Sequence, residues 1–322
     1  MPNEKREMIM RTLVYGLQYG DEGKGRVSHL LSKNYDWTVR FNGGPNAGHT
    51  VYENDIKYKL HHLPAGAVLG KKIALDTGMV VDLAILLAEC EKTNTKPSDI
   101  FVSENVHIIQ TKHTDADSTG SELGTTKKGI AYVYADRALK KGVRFKDFTD
   151  CPFRRYSGLP PIAQNESALF ESAQGVMLDV DYGRYPHVTS SSVFPSSLHR
   201  IEKRVGVMKA YTSRVGDGPP NYPSLPWLSK KGDEYGTTTG RERKCYWLIP
   251  HEIDYALSIS QPDEIVVTKL DILEGEEIRI YEENGKEKVI GSLSSYKDFL
   301  LGRFPKIKYF SQSPKGDMIK IT

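Results

Sequence analysis

The chain of 322 residues has only three cysteines, Cys90, Cys151 and Cys245, and no CxxC pair. That spacing excludes a disulfide framework or a zinc knuckle and points to reduced thiols in a cytoplasmic protein. No apolar run approaches the ~20 residues that a membrane helix needs, so no membrane partner is expected. The first ten residues carry both charge signs and lack the apolar stretch of a signal peptide; they read as a polar tail over 1–10. There is little excess charge, 44 basic against 41 acidic residues, or +3, and no basic run. Nucleic acid is therefore not an expected partner. Internal repeats, low-complexity tracts and obvious interdomain linkers are also missing. With 39% hydrophobic residues the chain is long enough to bury a sizeable core, and it reads as an α/β enzyme of one or two domains.

Apolar segments at Arg11–Gly16, Thr38–Phe41, Ile73–Leu75, Ile100–Ser103, Ala168–Phe170, Val205–Tyr211 and Ile265–Leu270 read as strands, and Val106–Ile109 as a further one. Helical spacing predicts a helix over Val80–Glu91, a second over Ala131–Lys141 ended by Gly142, and an amphipathic segment over Arg26–Leu31. Phe145–Gln164, with several prolines and little periodicity, reads as a surface connection, and Asn284-Gly285 as a hairpin turn. Alternating strands and helices predict a central, mostly parallel or mixed sheet flanked by helices.

Five polar segments carry chemistry. The first, Gly16 to Gly25, follows a strand and opens a helix, the unit that sets a helix N-terminus against phosphate. It is not a Walker A loop, since Gln18 stands where that loop needs glycine and Gly25 follows Lys24. Asp21, Glu22 and Lys24 between its glycines suit a phosphate site, with Asp21 able to ligate Mg²⁺ or take a proton. The second, Arg40 to Thr50, ends a strand in glycines, amides and His49, whereas His107, His113 and His199 read as structural. The third and fourth, Gly124–Gly129 and Gly236–Lys244, combine hydroxyls, exposed amides and cations suited to carboxylate or phosphate. The fifth, Thr268-Lys269-Leu270-Asp271, ends an apolar strand in a carboxylate that can accept from both N1–H and the 2-amino group of guanine.

Taken together, GDEGKG, NAGHT, GTTxxGI, the stretch Glu171 to Ser191, KAYTSRVGxGP, GTTTGRxR and TKLD, in that order from about Thr12 to Asp271, resemble the adenylosuccinate synthetase family. The resemblance implies one domain over 11–322 and a GTP-dependent ligase that joins L-aspartate to C6 of IMP through a 6-phosphoryl intermediate, with Mg²⁺ and as a homodimer. By it, Asp21 is the base, His49 and Lys24 assist phosphoryl transfer, and Asp21 with the Gly48 carbonyl holds the metal. Asn46, Thr126, Lys140, Gln174, Thr189, Val215 and Arg241 are implied for the acceptor nucleotide, and Thr237, Thr238, Thr239, Gly240, Arg241 and Arg243 for aspartate. GTP is assigned Gly20, Glu22, Gly23, Lys24, Gly25, Gly48, His49, Thr50, Arg243, Lys269, Asp271 and Ser313.

The chain departs from the family in three ways. It is shorter than common bacterial members, Lys140 stands where an arginine reaches across the dimer, and Glu242 interrupts an arginine run. Short viral relatives use dGMP to make 2-aminoadenylosuccinate, and commonly replace the residue matching Asp21. Retention of Asp21 and TKLD favours IMP and GTP; the short length favours a guanine nucleotide acceptor. A non-catalytic nucleotide-binding protein on the same scaffold would have lost Asp21, Lys24 or His49, and all three are present.

Overall fold

A computed structural model describes residues 10–120, 125–236, 240–313 and 316–321. All but residue 10 of the expected polar tail lies outside the described residues. Among the described residues ten strands form one sheet, in the spatial order Ile319–Lys320, Ile307–Phe310, Glu264–Thr268, Lys203–Lys209, Arg11–Gly16, Ala168–Gly175, Trp37–Arg40, Lys72–Leu75, Ile100–Ser103 and Arg154–Tyr156. Every neighbouring pair is parallel except the antiparallel Ile319–Lys320 edge. The first strand, Arg11–Gly16, therefore lies at the middle of the sheet, between strands that enter much later in the chain.

Burial on both faces explains why these strands read as apolar runs. Leu13, Tyr15, Phe170, Met208, Ile265 and Val267 pack on one face with Trp247, Ile249 and Ile253. Val14, Leu169, Val205, Val207 and Val266 pack on the other with Val27 of the helix Lys24–Ser32. A second core under Ile73, Leu75, Ile100 and Val102 is filled by Leu86 and Phe145.

Several expected boundaries move for local reasons. The helix expected over Val80–Glu91 runs from Leu83 to Thr93, because Asp82 caps it, its Oδ1 accepting from the Ala84 and Ile85 N–H groups at 3.0 and 3.1 Å. Val80 and Val81 instead form a short strand paired with His107–Ile108. The helix expected over Ala131–Lys141 runs from Ile130 to Ala138. Phe145–Gln164 is not merely a surface connection: Phe145 is fully buried and Arg154–Tyr156 closes the sheet edge, Tyr156 donating to Asp76 at 3.0 Å. His49–Glu53 and Ile56–Leu60 form a hairpin, and the turn residues Asn54 and Asp55 are left-handed at φ 49 and 61°.

The parallel strands end on one side of the sheet. Gly16, Arg40, Gly175, Lys209 and Thr268 close adjacent strands, so the loops that follow them meet above one carboxyl edge. In an open α/β sheet that edge is where ligands bind.

Candidate active site

The loop after the first strand is shaped from beneath by Glu22. Its carboxylate is fully buried, accepts from the Gln18 and Gly20 N–H groups at 3.1 and 2.9 Å, and pairs with Lys24 Nζ at 2.6 Å. A Cβ on Gly16 would lie 2.3 Å from that carboxylate, so glycine is required there. Above it the backbone turns left-handed at Gly20, Asp21 and Gly23, at φ 85, 59 and 88°. Gly23 precedes the helix Lys24–Ser32, whose N-terminus has no side-chain cap. Successive left-handed residues and an uncapped helix start present N–H groups to an anion. Thr268, at the end of its own strand, donates to the Glu22 carbonyl at 2.7 Å and ties this loop to the Lys269–Asp271 segment.

His49 begins the hairpin strand and sits against Gly25, where a Cβ would come within 2.8 Å of the His49 Cβ. Its Nδ1 contacts the Glu171 carboxylate, which also takes Arg40 Nη1 at 3.2 Å and the Ala65 N–H at 2.9 Å. All three side chains are buried. Burial tends to raise the Glu171 carboxyl, but His49 and Arg40 hold it below its usual range. Burial lowers His49 against the pull of Glu171. Nδ1 is occupied by this pair, which leaves Nε2 as the ring atom to address the cavity that His49 lines.

Asp21, exposed at the loop tip, meets Arg243 Nε at 2.9 Å. The same guanidinium reaches inward to Glu234 through Nη1 at 2.6 Å. Arg241 donates to the Thr125 carbonyl at 2.6 Å and so joins two loops.

These groups surround one cavity of about 1290 Å³. The phosphate loop contributes Gly20, Asp21, Gly23, Lys24 and Gly25, and the Asn46–Thr50 segment contributes Asn46, Gly48, His49 and Thr50. Thr126, Gln174, Thr189 and Val215 form another wall. Gly240, Arg241 and Arg243 stand beside them, and Lys269, Asp271 and Ser313 complete the lining. Two expected residues are not brought there. Glu22 turns its side chain under the loop, and Lys140, left-handed at φ 61° and exposed beyond the helix Ile130–Ala138, is outside the lining. Thr237, Thr238, Thr239 and Gly124 lie outside the described residues.

Arg40 and Glu171 open two of the segments marked in the sequence, but neither was given a role there and Glu234 was not marked at all. The readable signal was a charge in an otherwise apolar strand, inside Ala168–Gly175 for Glu171 and at the end of Trp37–Arg40 for Arg40. Glu234 left no such mark, because it sits in a polar loop.

Among the described residues no group of three or more His, Cys, Asp or Glu could hold a metal ion. An Asp21 carboxylate and a Gly48 carbonyl at one cavity fit the partial donor set of Mg²⁺, which takes much of its octahedron from substrate phosphates and water. Also among the described residues, no helix is long and apolar enough to cross a membrane.

A family model described as adenylosuccinate synthetase matches residues 13–156 and 160–298. The adenylosuccinate synthetase of Thermoplasma volcanium is 36% identical over 81% of this chain and 75% of its own. That of Thermotoga maritima is 36% identical over 84% and 83%. Among solved structures, fully ligated adenylosuccinate synthetase from Plasmodium falciparum aligns with a TM-score of 0.85 at 27% identity, over 97% of this chain and 99% of that one. Cyanophage S-2L succinoaminodeoxyadenylate synthetase, bound to dGMP and to dATP as energy donor, aligns with a TM-score of 0.78 over 98% and 96%. At 22% identity that second likeness speaks to fold alone. With its motifs in family order, its loops meeting at one sheet edge and these relatives across most of its length, the chain belongs to the adenylosuccinate synthetase family of C–N bond-forming ligases.

Proposed function

We propose that the chain joins the amine of L-aspartate to C6 of IMP, driven by GTP, to give adenylosuccinate. Asp21 takes the N1 proton, the 6-oxygen attacks the γ-phosphorus, and GDP leaves. The aspartate amine then attacks C6, and the 6-oxygen departs as part of inorganic phosphate. The observation that carries this reading is convergence: Asp21, Lys24 and the Glu171-held His49 face the same cavity as Arg243 and Asp271. Phosphoryl transfer needs little more than such positioning and electrostatics. At about 1290 Å³ the cavity exceeds the usual range for one small ligand, which suits two nucleotides and an amino acid.

In this reading Lys24 and His49 Nε2 steady the transferring phosphoryl group, Gly23, Gly25 and Thr50 hold the GTP phosphates, and Gly20, its N–H taken by Glu22, shapes the loop around them. Lys269, Asp271 and Ser313 hold guanine. Burial raises the Asp271 carboxyl, so a pair of guanine N–H donors would stabilise its ionised form. Asn46, Thr126, Gln174, Thr189 and Val215 surround the acceptor, and Gly240, Arg241 and Arg243 take the aspartate carboxylates with Thr237, Thr238 and Thr239. Mg²⁺, held by Asp21 and Gly48, would neutralise phosphate charge. A homodimer would let Lys140 serve the neighbouring site, and sedimentation would then give twice the chain mass. The three free thiols, Cys90, Cys151 and Cys245, accord with a cytoplasmic setting.

A second reading takes dGMP as acceptor. dGMP is the nucleotide bound in the phage synthetase whose fold this chain shares. Purified protein with aspartate, GTP, Mg²⁺ and either IMP or dGMP separates the two. Phosphate release and an aspartyl adduct with IMP are expected; reaction with dGMP alone would replace IMP, and reaction with neither would reject the ligase.

A further inference from the structure

Below the cavity wall formed by Arg243 and Lys269 lies a fully buried carboxylate, Glu234. It accepts from Lys209 Nζ at 2.8 and 2.9 Å, from Arg243 Nη1 at 2.6 Å and from the Tyr211 hydroxyl at 2.5 Å, with Lys269 Nζ at 3.6 Å. Lys209 is itself buried, at the end of the central strand Lys203–Lys209. Burial alone would raise the Glu234 carboxyl, but Lys209, Lys269 and Arg243 hold it well below the usual carboxylate range. The main chain repeats the connection. Arg243 N–H donates to the Glu234 carbonyl at 2.8 Å and Gly236 N–H to the Arg241 carbonyl at 2.8 Å, joining Glu234–Gly236 to Arg241–Arg243. Lys269 Nζ donates to the Gly232 carbonyl at 2.8 Å and ties the residues before Glu234 to the Lys269–Asp271 segment.

Three cations thus converge on one buried carboxylate, and two of them, Arg243 and Lys269, also line the cavity. Arg243 can hold its place between Asp21 and the interior because its second edge is pinned by Glu234. We propose that Glu234 is a positioning residue for the ligation, locking Arg243 of the aspartate subsite and Lys269 of the guanine-binding segment to each other. This rests on the ligase reading given above. It adds that the two subsites share one support, so that loosening it weakens aspartate and GTP together and reaches the acceptor nucleotide less, through Arg241 and its bond to the Thr125 carbonyl.

The test compares wild type, Glu234→Gln, Glu234→Asp and the double variant Glu234→Gln/Lys209→Met. Each is assayed for KM of all three substrates, kcat, thermal midpoint and Kd for a fluorescent N-methylanthraniloyl-GDP. Glu234→Gln should raise KM for aspartate and for GTP by roughly tenfold each, as expected for loosening one charge-assisted hydrogen bond, with the acceptor KM within about twofold of wild type. Glu234→Asp should recover part of that loss. Because Glu234→Gln leaves Lys209 buried without a counter-charge, it will also lower the midpoint. The double variant should restore the midpoint without restoring either KM. Recovery of both KM values along with stability, or an equal rise in the acceptor KM, would make Glu234 a purely structural residue and overturn the proposal. Should the wild type fail to turn over, the ligase reading falls. The GDP Kd then decides the guanine half alone: weaker binding in Glu234→Gln and in the restabilised double variant supports it, and unchanged binding rejects it.

Discussion

Asp21 and Glu22 are adjacent carboxylates with opposite fates, and the backbone decides which is which. The left-handed turn at Gly20 and Asp21 points one side chain to the cavity rim and folds the next beneath the loop. Asp21→Ala is expected to abolish turnover while keeping guanine nucleotide binding, read by fluorescence, within about threefold; wild-type rates would remove Asp21 as the base. Glu22→Ala should act differently. It strips two N–H groups and Lys24 of their buried partner and should lose about 3–5 kcal/mol of stability in urea denaturation. From sequence, the spacing of carboxylates and lysine between glycines marked both residues as part of one site. It could not tell a rim carboxylate from a buried one, because that depends on φ at single residues. Likewise His49 was legible among small residues, whereas its partner Glu171 was not. Their pairing is made by strands 122 positions apart in the chain.

Elements with strong apolar patterns were legible at nearly their true bounds: Arg11–Gly16 and Ile100–Ser103 match, and the hairpin around Asn284-Gly285 forms between Ile278–Tyr281 and Glu287–Gly291. Arg154–Tyr156 was not legible, since three residues at a sheet edge, two of them exposed arginines, show no alternation. The hairpin at His49–Leu60 carried a readable signal in the turn pair Asn54-Asp55, which the glycine-rich loop before it masked. Glu166 joins two neighbouring strands by accepting from Trp37 Nε1 at 2.7 Å and pairing with Lys72, and these contacts pull its carboxyl down to about 2, the Lys72 hydrogen bond first. A carboxylate lowered in the folded state adds stability above its unfolded pKa and loses it as pH falls toward the folded one. The thermal midpoint of wild type should therefore exceed that of Glu166→Gln by a constant margin above about pH 5, and the margin should shrink as pH falls toward 2. A margin that grew on acidification would refute this assignment.

Across the whole molecule, the same sheet that buries the core gathers the chemistry. Strands that end at Gly16, Arg40, Gly175, Lys209 and Thr268 are neighbours in space but enter the chain far apart, and their loops supply most of the cavity. The motifs point to a single site from sequence alone, while the order of the ten strands is not legible in local patterns. The account's central claim is that the acceptor's own 6-oxygen is phosphorylated and then expelled. IMP labelled with ¹⁸O at C6, turned over with aspartate, GTP and Mg²⁺, tests it directly by mass analysis of the released phosphate. The account predicts one ¹⁸O atom in each phosphate formed; phosphate free of label, released together with the aspartyl product, would contradict it.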